Sequence, residues 1–144
     1  MQALEEAMAF SREMIKDDHE LVPRFDITCE DGVTTIFVQV PDDIKAREER
    51  MSLVQTYMKV KLATSFVFAT ELAEPDAHIA AYVGRDQVVC MLQHIKRNPV
   101  SFGSVEQLSR DQMGKDIPGM LPCKTDAVSR LDHVPEPSSR LREV

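Results

Sequence analysis

Tryptophan is missing from this 144-residue chain, and glycine (five), cysteine (three) and tyrosine (two) are scarce. No apolar run approaches the roughly 20 residues that a membrane-crossing helix requires, so no membrane partner is expected. Cys29, Cys90 and Cys123 stand far apart without a Cys-x-x-Cys pair. An odd, dispersed set argues against a disulfide framework and for free thiols in a reducing compartment. The opening Met1-Gln2-Ala3-Leu4-Glu5-Glu6 is acidic where an export signal needs basic residues before an apolar stretch. The end, Leu141-Arg142-Glu143-Val144, carries no lipidation box, and the expected location is cytoplasmic.

The signatures of familiar chemistries are also missing. No HExxH or HxH pair joins His19, His78, His94 and His133, so neither a metal nor another cofactor is expected. Cys90 and His94 are four apart, which on a strand separates them by about 13 Å, too far to share an ion. Gly114 to Gly119 has the spacing of a phosphate loop, but Met120-Leu121 stand where Lys and Ser or Thr are needed. No GxGxxG follows a strand and no GxSxG elbow occurs. Neither tyrosine lies in a basic run, so direct nucleic-acid binding is not expected.

What is present is an ordinary globular composition, 43% hydrophobic and 28% charged, in a length suited to one core. The net charge of −7 is uneven: residues 1–50 hold 13 acids and 6 bases. A field of that sign repels phosphate backbones and favours basic partners.

Leu4, Ala7, Met8, Ser11, Met14 and Ile15 recur at helical spacing and predict a helix over about 3–19, with Pro23 forbidding its continuation. Phe25, Ile27 and Cys29 alternate with polar residues, Asp31-Gly32 offers a tight turn, and Val33 to Val40 returns with Ile36, Val38 and Val40 on one side. Pro41-Asp42-Asp43 then caps a second helix expected to run to about Leu62, with Ile44, Met51, Val54, Met58 and Leu62 as its stripe. Ser65 to Ala69, apolar on both faces, predicts an interior strand. Ala77 to Val83 fits a strand or a short helix, and Gln87 to Ile95 fits another strand. After a turn at Arg97-Asn98-Pro99, Val100 to Phe102 can extend the meander. Ser104-Val105-Glu106-Gln107 matches a capping box and predicts a third helix, closed by Gly114. Residues 115–144 hold four of the eight prolines without periodicity and read as an extended tail.

The expected fold is α+β: an antiparallel sheet of about five strands with two main helices, in the order α-β-β-α-β-β-β-α over residues 1–114. In element order alone, over about residues 3–114, this is similar to roadblock-type and profilin-like domains. That resemblance rests on no shared motif and transfers no functional residue. It implies a dimeric platform for regulatory proteins.

Three functions are compatible with these residues. The first is a non-enzymatic interaction domain, expected as a homodimer. It would act through the acidic N-terminal third or through the helix faces bearing Met8, Met14, Met51 and Met58, because thioethers repack against varied partners. The second is a small hydrolase whose Glu71, His78 and His94 converge only in three dimensions; Glu71 ends the most apolar strand, where a side chain can enter a cleft. The carboxylate pairs Glu30 with Asp31 and Asp42 with Asp43 are explained as turn and cap. The third is a subunit of a larger assembly whose tail crosses to a neighbour.

Overall fold

A computed structural model describes residues 2–39 and 42–113, without the side chains of residues 110 and 113. The predicted tail at 115–144, the closing Gly114, Cys123 and His133 lie outside the described residues.

Helix α1, Gln2–Lys16, buries Leu4, Ala7, Met8, Ser11 and Ile15, the stripe its spacing implies. Pro23 is not what ends it. Asp18 takes a left-handed φ of 57° and donates to Ile15, while His19 donates to the Met14 carbonyl at 2.9 Å. That pair of bonds satisfies the last carbonyls of the helix. Helix α2, Ile44–Val60, starts at the Asp43 cap and ends the same way: Leu62, at φ 52°, donates to Lys59, and Ala63 donates to Met58. In a chain poor in glycine, both helices close through residues that carry a side chain.

Among the described residues the sheet has six strands rather than about five, all antiparallel, in the order β2-β1-β3-β4-β5-β6. They are β1 (Arg24–Cys29), β2 (Gly32–Phe37), β3 (Ser65–Leu72), β4 (Ala77–Gly84), β5 (Val88–Lys96) and β6 (Ser101–Leu108). The open choice at Ala77–Val83 thus resolves as a strand. The sixth strand replaces the expected third helix: Ser104–Gln107 lies in β6, paired to β5. The capping box forms five residues later. Ser109 Oγ accepts from the Gln112 amide, and Gln112 Oε1 accepts from the Ser109 amide at 2.7 Å, opening the one-turn helix α3, Arg110–Met113.

Phe25, Ile27 and Cys29 face one side of the sheet, opposite Phe68 and Phe66 of β3, where Val54 and Met58 of α2 close the core. Leu4, Ala7 and Met8 of α1 pack on the other side against Val67, Ala69 and Ala80. A third cluster, Ile15 with Leu21 and Ile95, seals the far end of α1. Two helices on opposite faces therefore clamp β3, and among the described residues β2 and β6 are the sheet's edges. No helix among the described residues is long and apolar enough to cross a membrane.

Candidate functional site

Glu71 and His78 are register partners across β3 and β4, on the face that carries α1. His94 is not brought to them: it pairs in register with Ala77, on the opposite face, half-exposed and 3.6 Å from Glu106. Glu71 does border an open cleft of about 460 Å³, with Asp18, His19, Glu20 and Arg97 on its walls. Its carboxylate is committed, however, accepting from Arg97 at 3.1 Å. The same guanidinium makes two bonds to Asp76, of 2.9 and 3.0 Å. Those bonds hold the Asp76 carboxyl below the usual carboxylate range and push Arg97 upward.

His78 is fully buried. Gln93 Nε2 donates to the Gly103 carbonyl at 2.7 Å, which fixes the orientation of the amide, so its oxygen is the atom 2.9 Å from His78 Nε2. An amide oxygen only accepts, so the imidazole proton sits on Nε2. The same oxygen accepts from Arg12 of α1 at 3.3 Å. Nδ1 is buried without a partner among the described residues, and the ring meets Phe102 edge-on at 5.7 Å. Burial above all lowers the proton affinity of His78; the Gln93 bond raises it, and Arg12 lowers it further. This is a structural linkage of α1, β4, β5 and β6 through one neutral imidazole.

Cysteine chemistry fares no better as a site. Burial raises Cys29 and pushes Cys90 up to about 11, which leaves almost no thiolate at neutral pH. We expect both to resist a thiol reagent in the folded protein and to react once guanidinium unfolds it, as a colour assay in a Cys123→Ser background would show. Among the described residues no group of three His, Cys, Asp or Glu side chains is placed to hold a metal ion.

The methionine faces are turned inward: Met8 and Met58 are buried in the core, and Met14 and Met51 pack against it. Acidic residues Glu5, Glu6, Glu13, Asp17 and Asp18 are exposed along and just beyond α1.

Exposed apolar surface gathers instead at β2. Val33 is 65% exposed and Phe37 56%, and no residue of β2 is buried. Its place at the end of the sheet explains why. Val38 N–H donates to the Pro23 carbonyl, so the even-numbered residues of this strand turn their backbone toward β1. Val33, Thr35 and Phe37 then turn theirs outward, and among the described residues β2 is the last strand on that side. At one end the outward Gln39 carbonyl accepts from Arg50 at 3.0 Å; at the other lies the Glu30-Asp31 turn, with Lys61 3.9 Å from Asp31. The free edge between them contains no charged residue and no proline, the usual devices that blunt such edges.

The side chains of Val33, Thr35 and Phe37 lie on the α1 face, opposite Thr28, Asp26 and Arg24. Asp26 accepts from Thr35 at 2.7 Å and from Arg24 at 2.9 Å, and the Arg24 guanidinium sits 4.4 Å over the Phe10 ring. Arg24, stacked on Phe10 of α1, is thus the register partner of exposed Phe37, and Phe10, Arg24 and Phe37 form a mixed shelf beside the edge on this face. On the other face a groove of about 320 Å³ runs between Phe37-Val38 and the α2 residues Ala46, Glu49, Arg50 and Leu53. The sequence carried a signal for this site, the uncharged β-prone run Gly32–Gln39, but not that it would form an edge. No protein-family model, curated protein or solved structure matches the chain.

Proposed function

We propose that this chain is a non-catalytic protein-interaction domain that binds an extended segment of a partner along the open edge of β2. The carrying observation is that edge: Val33, Thr35 and Phe37 turn their backbone groups outward with no further strand beside them among the described residues, and Val33 and Phe37 are exposed. Main-chain bonds supply affinity in this mode, and alternate side chains supply selectivity. The acidic N-terminal third supports a basic partner through faster encounter rather than tighter grip. A second copy of the chain belongs to the same class of partner.

A displayed peptide library selected on the folded protein tests this. Selected peptides should alternate apolar and polar residues and lose at least about tenfold in affinity when Val33→Lys and Phe37→Lys are combined, as expected for central anchors. Both positions are solvent-facing, so circular dichroism should be unchanged. Peptides that bind the double variant as well as the parent would remove the edge as the site.

A further inference from the structure

From the geometry of β2 we infer the partner itself: a second copy of this chain, joined edge to edge so that the two β2 strands run antiparallel about a two-fold axis at Thr35. The inference rests on the edge-binding function proposed above and identifies what occupies that edge.

Three features of β2 make it self-complementary. The first is backbone parity. For the two sheets to continue as one, a residue must meet a residue on its own face, and the outward donors and acceptors must meet each other. Val33, Thr35 and Phe37 share one face and all present their backbone outward. An axis through Thr35 pairs Thr35 with Thr35 and Val33 with the second copy's Phe37, twice over, and every one of these is a hydrogen-bonding pair. The second feature is the side chains. The two most exposed apolar residues of the strand become each other's cross-strand neighbours, and Val opposite Phe is a favourable combination. The two Phe10–Arg24–Phe37 shelves then run together on the α1 side.

The third is charge. The same axis places Asp31 of the turn opposite Gln39 of the other copy, whose carbonyl already holds Arg50. Each end of the shared ladder thus brings the acidic turn of one chain to the arginine of the other. A net charge of −7 opposes any self-association, and this local match offsets it where the chains touch. An unrelated basic segment would match the overall charge but would have no reason to pair Val33 with an aromatic and the turn with a cation together.

Disulfide trapping reads the register directly. Cysteine at position 35 would face itself across the axis, with Cα atoms about 5.5 Å apart, inside the range a disulfide accepts. Cysteine at position 33 would lie about 13 Å from its own copy, four residues along the strand, and beyond that reach. In a Cys123→Ser background, Thr35→Cys should cross-link to a dimer under mild oxidation. Val33→Cys alone should not, and a mixture of Val33→Cys with Phe37→Cys chains should.

Light scattering of the unmodified chain over a concentration series should give a dimer that Val33→Lys with Phe37→Lys converts to monomer. A chain that stays monomeric and does not cross-link at position 35 overturns the second copy as partner; the edge-binding reading is then decided separately by the peptide selection. Equal cross-linking of Thr35→Cys and Val33→Cys, or a dimer unaffected by the two lysines, also overturns it.

Discussion

Phe25→Ala should lower the stability of this protein by about 3–5 kcal/mol, a large share of the roughly 5–15 kcal/mol that a folded domain commonly has. Phe25 is fully buried, stacks on Phe68 at 4.6 Å and lies 5.8 Å from Phe66. It sits on β1, whose pairing with β3 joins the N-terminal hairpin to the rest of the sheet, and beneath α2 through Val54 and Met58. Truncation removes the ring's transfer free energy and leaves a hole that strands pinned on both sides cannot collapse to fill. Urea unfolding with an unchanged slope and a much lower midpoint is the expected result. Phe37→Ala supplies the internal comparison: the same residue type, in the next strand, is 56% exposed and should shift monomer stability by no more than about 0.5 kcal/mol. Similar losses at both positions would contradict the core assignment.

Acidification should produce the second large effect, through His78. Among the described residues the groups around it offer a second proton no acceptor: the Gln93 amide oxygen of β5 already accepts from His78 Nε2 and from Arg12 of α1, Phe102 from β6 presents its ring edge, and Glu71 opposite on β3 is engaged by Arg97. Protonation would create an unpaired N–H at buried Nδ1 and a charge near a guanidinium. Folding therefore lowers the proton affinity of His78, and the folded chain binds fewer protons there than the unfolded chain.

The stability this supports is complete above the ordinary imidazole value of 6.5 and is lost as pH falls from there toward the depressed folded-state value. The slope in that window is bounded above by about 1.4 kcal/mol per pH unit, the value for one whole proton. Asp76, whose carboxyl is also lowered, acts only below the ordinary value of 3.8, so the two windows separate. His78→Gln should flatten the dependence in the range just below pH 6.5. Chemical denaturation of both proteins across that range checks it, and an undiminished slope in the variant would place the sensitivity elsewhere.

Much of the architecture was legible because one-sided burial leaves a period in the sequence. The stripe of α1, the alternation of Phe25, Ile27 and Cys29, and the two-faced apolar run of β3 each appear where they were expected. Legibility failed where burial was symmetric or absent. In β4 both faces are largely covered and three residues are alanine, so strand and helix look alike. In β6 most residues are exposed, so no alternation marks the strand, and Ser104 with Gln107 imitated a cap that Ser109 and Gln112 form. Of the α2 stripe only Val54 and Met58 are buried, while Ile44 remains 68% exposed, because that helix covers only one part of the sheet. The candidate trio separated for a register reason: His94 points away from the face shared by Glu71 and His78. The Arg12–Gln93–His78 linkage joins residues up to 81 positions apart, and no local spacing announces it.

The position of α1 has a consequence for how the protein is made. Leu4, Ala7 and Met8 dock on β3 and β4, and Ile15 docks against Ile95 of β5. A growing polypeptide therefore carries this adhesive helix out of the ribosome long before its floor, which begins at Ser65, has been translated. Until then the helix is exposed to neighbouring nascent chains and to chaperones.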